Sequence, residues 1–247
     1  MKVALITGSS RGLGRAMALR LARDGFAIIV HYGSNEKEAR KVAEEIAAGG
    51  GKSFIVQADQ SKVASIEKMF ETIDREIKAQ FNESGLDVLI NNAGTAVVKE
   101  EWTEADFDYQ FALNVKGVFF TTQLAIPRMR RGGRIINLGT GLTRFTFTPY
   151  LVYAASKGAV DVMTRYYAAL LGEKEITVNT LAPGAIDTDL NAHWLRSKEG
   201  RNQTIAGSAI KRIGMPEDIA DAAAFLASSD SRWVTGQRIE ASGGARL

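Results

Sequence analysis

Tyr153 and Lys157 stand four residues apart in Tyr153-Ala154-Ala155-Ser156-Lys157, inside a stretch of helical periodicity. That spacing puts both side chains on one helix face. A phenol with a pKa near 10 is a poor proton donor or acceptor at neutral pH, and a neighbouring ammonium lowers that pKa by stabilising the phenolate. Such pairs also occur on ordinary amphipathic helices. This one follows an apolar run that leads into Gly139-Thr140-Gly141, on the edge where open α/β sheets bind their ligands.

A second candidate lies at the front of the chain, in Thr7-Gly8-Ser9-Ser10-Arg11-Gly12-Leu13-Gly14. A strand, a glycine turn and a helix N-terminus make an anion site, because unpaired backbone N–H groups and the helix dipole both face a bound pyrophosphate. The glycine spacing differs from the usual dinucleotide fingerprint, and a tight turn with no ligand is the alternative reading. In dinucleotide folds an acid about 20 residues further on holds the adenosine 2′-hydroxyl, whereas a basic residue accommodates a 2′-phosphate. The corresponding stretch, His31-Tyr32-Gly33-Ser34-Asn35, holds no acid, while Arg11 sits inside the turn. NADP(H) is therefore expected over NAD(H), with a solvated Arg11 as the plainer alternative.

These residues need a scaffold, and the apolar pattern supplies one. Short β-rich runs occur at Val3–Thr7, Phe26–His31, Ser53–Gln57, Leu86–Ile90, Arg134–Leu138, Ile176–Thr180 and Arg238–Ala241. Helical patterns alternate with them over Leu13–Asp24, Glu36–Ala48, Val63–Phe81, about Glu104–Arg130, Val152–Leu171 and Pro216–Ser228. Alternation of this kind predicts right-handed βαβ crossovers and a doubly wound, Rossmann-like parallel sheet of about seven strands with helices on both faces. No linker or repeat interrupts it, so 247 residues are read as a single α/β domain. Pro216, Glu217 and Asp218 open the last helix, fixing φ in its first turn and placing acids at its positive end.

Composition narrows the chemistry. Cysteine is absent and only two histidines occur, which excludes a disulfide scaffold, a thiolate metal site and a cysteine nucleophile, and leaves no expectation of a metal. The net charge of +3 comes without a long basic run, so no nucleic-acid partner is expected. No apolar stretch approaches the ~18 residues of a membrane span, and the N-terminal apolar run breaks into Gly and Ser before a signal-peptide core forms, so the expected compartment is the cytoplasm.

Taken together, TGSSRGLG from Thr7, Asp59 after the third strand, NNAG from Asn91, Asn114, YAASK from Tyr153, Pro183-Gly184 with Thr188, and TGQRIEASGG from Thr235 resemble the classical short-chain dehydrogenase/reductase family over essentially the whole chain. The resemblance implies that Tyr153 protonates a substrate carbonyl oxygen as hydride arrives. Lys157 would then bind the nicotinamide ribose and depress the Tyr153 pKa, and Asn114 would hold a proton-relay water. Where the family usually carries Ser, this chain has Thr140, whose hydroxyl donates the same bond while its methyl narrows the site. For the cofactor the resemblance implies the turn from Ser9 through Ser10, Arg11, Gly12 and Leu13 to Gly14, together with Gly8. Ser34 would lie beside the 2′-phosphate, Asp59 and Gln60 at the adenine, Asn91 and Gly94 along the adenosine ribose, and Gly184, Ile186 and Thr188 at the nicotinamide.

The segment from Asp187 to about Ile210, with His193, Trp194 and Leu195, matches the family's substrate lid; His193 is not expected to be catalytic. The resemblance is strongest to 3-oxoacyl-(acyl-carrier-protein) reductases, so the leading expectation is NADPH-dependent reduction of a 3-oxoacyl thioester. The alternatives are another carbonyl (quinone, sugar, steroid or polyketide-like ketone) and a non-catalytic NADP(H) sensor. Arg128, Arg130, Arg131 and Arg134, with Lys174, form a basic cluster; Arg131 and Lys174 match positions that face an acidic acyl carrier protein, and helix-dipole complementation is the alternative. The family also implies a homotetramer built on the helices at 104–130 and 152–171 and on the last helix and strand, with Tyr166, Tyr167 and Trp233 as candidate interface aromatics and core packing as the alternative for each.

Overall fold

The computed structural model describes all residues from Met1 to Leu247. Seven strands form one sheet in the order β3-β2-β1-β4-β5-β6-β7, and every neighbouring pair is parallel. They are β1 (Val3–Ile6), β2 (Ala27–Tyr32), β3 (Ser53–Gln57), β4 (Leu86–Asn91), β5 (Met129–Leu138), β6 (Thr177–Pro183) and β7 (Arg238–Ala241). The order reverses between β1 and β4, which opens a crevice at their carboxyl ends.

Both sheet faces are covered, which is why the strands read as near-continuous apolar runs. On one face α1 (Gly12–Arg23), α2 (Glu36–Ala48) and α9 (Pro216–Ala227) enclose a core including Met17, Leu21, Ile28 and Ile219. On the other, α3 (Val63–Glu76), α5 (Gly117–Ala125) and α6 (Leu151–Leu171) pack Ile66, Phe70, Ile29 and Leu171. Tyr167 belongs to this second core and is 4% exposed, so it is not an interface aromatic. Tyr166 and Trp233 are exposed as expected.

The helix expected over 104–130 is instead three pieces and stops early. It comprises α4 (Glu104–Phe111), a π-helical turn at Ala112–Lys116, and α5, followed by a 3-10 turn over Ile126–Arg128. Pro127 has no N–H to continue the helical ladder, the backbone turns extended at Met129, and β5 starts there, five residues before the expected Arg134. The basic cluster therefore lies at the entry to a strand. Arg128 pairs with Asp74, Arg130 with Glu83 and Asp87, and Arg131 with Glu175. Arg134 donates to the backbone carbonyls of Gly132, Gly133 and Ser228.

The segment after β6 is ordered into a 3-10 turn (Asp189–Asn191) and two short helices, α7 (Ala192–Leu195) and α8 (Lys198–Ala206). The C-terminal tail ties down its exit: Ala209 and Ile210 N–H donate to the carbonyls of Gly244 and Gly243, and Arg246 N–H donates to Gly207. No helix is long and apolar enough to cross a membrane.

Candidate active site

A cleft of about 1470 Å³ runs along the carboxyl edge of the sheet, from Ser34 and Asp59 past the glycine turn to Tyr153 and Trp194. Drug-sized ligand sites measure roughly 300–1,000 Å³, so this one has room for a dinucleotide and a second ligand.

At its floor the turn between β1 and α1 is shaped by glycine. Gly8 has φ +65° and Gly12 φ +55°. A Cβ on Gly14 would stand 2.3 Å from the Gly8 carbonyl oxygen and 2.6 Å from Asn92 Nδ2. The loop is thus pressed against the end of β4, where Asn92 donates to the carbonyls of Thr7 and Gly8. From below, Gly8 N–H donates to His31 Nδ1 at 2.8 Å, while His31 Nε2 lies 3.1 Å from the Ala58 carbonyl. Complete burial lowers the His31 pKa to about 4, which keeps the ring neutral and Nδ1 available as an acceptor.

Most expected cofactor residues line this cleft: Gly8, Ser10, Arg11, Gly12, Leu13, Gly14, Ser34, Asp59, Gln60, Gly94, Gly184, Ile186 and Thr188. Asn91 does not. Its amide is buried and donates to Thr122 Oγ1 and Asn137 Oδ1, because strand alternation turns Asn91 inward and leaves Asn92 facing the cleft. Gln60 reaches the wall, but its side chain is occupied internally, accepting from Thr121 at 2.6 Å. Asp59 accepts from both the backbone N–H and the hydroxyl of Ser61, the hydroxyl bond leading the causes that lower its pKa. Arg11 is three-quarters exposed and only loosely paired with Asp189, at 3.6 Å.

Tyr153, Lys157 and Thr140 converge at the other end of the cleft. The Thr140 hydroxyl faces the same part of the cleft as the Tyr153 phenol and opposes the rise in its pKa, and Lys157 Nζ lies 5.9 Å from the centre of the Tyr153 ring. Lys157 donates to the Leu138 carbonyl at 2.7 Å. Burial dominates both titrations, pushing Tyr153 up to about 12 and Lys157 down to about 8. The phenol thus lies above its ordinary value, and Lys157 is not among the groups that lower it.

Asn114 sits in the π-helical turn and does not itself line the cleft. Its Oδ1 accepts from Thr95 N–H, and its Nδ2 donates to the Thr95 carbonyl and to Ser156 Oγ. Single-turn π segments inside α-helices recur at functional sites. Here the turn brings Asn114 beside Gly94 and Lys157, for a Cβ on Gly94 would meet Asn114 Oδ1 at 3.1 Å and Lys157 Nζ at 3.5 Å.

The mouth above Tyr153 is aromatic. Phe147 stacks on Tyr150 at 5.6 Å and meets Trp194 of α7 edge-on at 5.8 Å, and Tyr150 is 6.2 Å from Tyr153. The Tyr150 hydroxyl lies 3.0 Å from His193 Nε2. Phe147 and Tyr150 carried no sequence signal, since aromatic residues in a loop do not announce which surface they will face.

Comparison with known proteins agrees with this geometry. The family described as "Enoyl-(Acyl carrier protein) reductase" matches residues 8–246. A hydroxynaphthalene reductase-like protein, Arp2, from Metarhizium acridum (strain CQMa 102) is 39% identical, covering 99% of this chain and 94% of that protein. The crystal structure of the angucycline C-6 ketoreductase LanV with bound NADP superposes with a TM-score of 0.95 at 40% identity, covering 100% of this chain and 96% of that one. A short-chain dehydrogenase/reductase from Serratia marcescens BCRC 10948 matches with a TM-score of 0.92 at 34% identity, covering 100% and 98%. The fold and site define an oxidoreductase of the Rossmann type. The chain belongs to the short-chain dehydrogenase/reductase family.

Proposed function

We propose that this enzyme uses NADPH to reduce a ketone on a fused-ring, polyketide-type skeleton to a secondary alcohol. The observation that carries the reading is the aromatic mouth of Phe147, Tyr150 and Trp194 directly above Tyr153 and Thr140. Flat π faces hold planar rings by offset or edge contacts. The Metarhizium relative's description as a hydroxynaphthalene reductase-like protein and LanV's as an angucycline ketoreductase point the same way.

NADP(H) is the cofactor, and the cleft fits it: the Gly14 side of the turn has no room for a side chain, so backbone can approach a pyrophosphate. Gly8, Gly12 and Gly14 would hold the pyrophosphate, Arg11 and Ser34 the 2′-phosphate, and Asp59 the adenine amino group. Gly94 and Lys157 would hold the riboses, and Gly184, Ile186 and Thr188 the carboxamide. When bound, the reduced nicotinamide supplies the hydride. Thr140 and Tyr153 donate hydrogen bonds to the carbonyl oxygen, and Tyr153 delivers the proton. Lys157 stabilises the phenolate left behind, and the turn of Asn114, beside Lys157, would hold the water through which a proton returns to it from solvent.

A 3-oxoacyl substrate on acyl carrier protein is less well supported. Arg131 already has a carboxylate partner, Glu175 at 2.6 Å, and donates to the Glu173 carbonyl, so the surface offered to an acidic carrier is largely neutralised. A homotetramer suits the exposed Leu151, Val162, Tyr166 and Leu170 along α6 and the 96% exposed Trp233. NADPH oxidation with 1-tetralone against acetoacetyl-CoA decides the substrate class. Faster turnover of the bicyclic ketone supports the proposal, and preference for the thioester refutes it. Tyr153→Phe should bind NADPH normally and turn over neither; retained activity would remove Tyr153 from its role.

A further inference from the structure

Arg238 lies on the last strand, far from the residues already assigned, yet its guanidinium reaches the end of β5. Nη2 donates to the Thr140 carbonyl at 2.7 Å, Nε to Thr143 Oγ1 at 3.0 Å, and Nη1 to Glu240 Oε2 at 3.1 Å. The Asp161 carboxylate stands 3.5 Å from Nε. All three nitrogens of the fork are therefore engaged, and the side chain is 24% exposed. We infer that Arg238 is a positioning residue that fixes the Thr140 hydroxyl for its contact with the substrate oxygen.

Thr140 has few restraints of its own. Its backbone is extended, with φ −158° and ψ 151°, a conformation that imposes nothing special on the side chain. Its Oγ1 accepts from Leu142 N–H only at 3.3 Å. The short bond from Arg238 holds the peptide that carries it, and Thr143, whose hydroxyl donates to Asp161 Oδ2 at 3.0 Å, closes the turn from the other side. A planar fork with several fixed donors sets such a turn more completely than a single ammonium does.

The clamp is itself held. Arg144 makes a two-pronged pair with Glu240 and donates to the Arg246 carbonyl at 2.8 Å. Ser242, just beyond β7, packs so closely that a Cβ on Gly184 would meet its Cα at 2.9 Å. Two cations and two carboxylates balance one another across β7, α6 and the turn after β5. Without Arg238, Asp161 would lose its countercharge while its Oδ1 is already buried without a partner.

The inference rests on the catalytic reading of Thr140, and a double-mutant cycle separates the two. The enzyme is assayed with NADPH and 1-tetralone, or acetoacetyl-CoA should that be the ketone it reduces, in wild type, Thr140→Ala, Arg238→Met and the double variant. Arg238→Met should lower kcat about tenfold or more, as expected for misplacing one donor to a developing oxyanion. KM for the ketone and NADPH affinity by fluorescence titration should change little, while the melting temperature falls because Asp161 loses its countercharge. Arg238→Lys should recover part of kcat. In the Thr140→Ala background, Arg238→Met should cost less than about twofold, because the group it positions is gone. Additive losses, or a parallel fall in NADPH affinity, would overturn the inference while leaving Thr140 in place. Full activity of Thr140→Ala would overturn the Thr140 reading and this inference with it. Should Arg238→Met not fold, the same cycle run with Arg238→Lys carries the same two outcomes.

Discussion

Replacing His31 by Gln should remove an acid sensitivity that the wild-type protein carries in its cofactor loop. His31 is fully buried and titrates at about 4, against 6.5 for a free imidazole. The unfolded chain takes up that proton first, so stability is intact above pH 6.5 and is lost as pH falls from there through about 4. The two pKa values give almost no cost at pH 7 and about 2 kcal/mol at pH 5. Protonation at Nδ1 also turns the acceptor for Gly8 N–H into a donor facing a donor, so the glycine turn of the folded protein should loosen as pH falls to about 4. Urea unfolding followed by tryptophan fluorescence, at pH 7 and pH 5 and one protein concentration, measures the effect. Wild type should lose about 2 kcal/mol more than His31→Gln between the two pH values. Equal losses would refute the reasoning, since carboxylates and oligomer contacts are common to both proteins.

Three further outcomes follow from the site. Arg11→Ala should raise KM for NADPH about 10- to 100-fold, the worth of one or two charge-assisted hydrogen bonds, with NADH changed less than about threefold; equal effects on both would place Arg11 outside the 2′-phosphate site. In steady-state assays Thr140→Ser should stay within about threefold of wild type, while Thr140→Ala or Val should lose about 100-fold in kcat; a strong loss in the Ser variant would mean that the methyl group, and not the hydroxyl, is required. Trp194→Ala should raise KM for 1-tetralone about three- to tenfold, the scale of one aromatic contact, and leave acetoacetyl-CoA nearly unchanged; an unchanged KM for 1-tetralone would take Trp194 out of the substrate wall.

What was legible in the sequence was what depends on short spacing. Tyr153 and Lys157 share a helix face because they are four residues apart, and the glycine turn reads directly from the strand–turn–helix pattern. The sheet followed from apolar runs of the right length, although Pro127 moved the start of β5 to Met129. Contacts between distant residues carried no such signal. His31 meets Gly8 across 23 positions, and Arg238 meets Thr140 across 98; both are products of sheet register, which sets strand neighbours only once the strand order is known. The choice between Asn91 and Asn92 turned on a single step of strand alternation at the very end of β4, where regular geometry gives way to a turn.

The two buried titrations also bear on direction. A phenol held at about 12 is fully protonated at neutral pH, the form that carbonyl reduction consumes. Alcohol oxidation would need the phenolate, which this pocket disfavours by burial and opposes further with Tyr150 nearby. Lys157, at about 8, remains mostly charged at pH 7 and loses its proton just above. On the proposed mechanism, the ammonium is therefore present to stabilise the phenolate only below about pH 8, although Tyr153 stays loaded to donate well above that. Of the groups around Tyr153, Thr140 is the one that favours ionisation. On the proposed mechanism the Thr140 hydroxyl acts at the substrate oxygen and influences the phenol, which is why the geometry set by Arg238 should appear in kcat and not in cofactor binding.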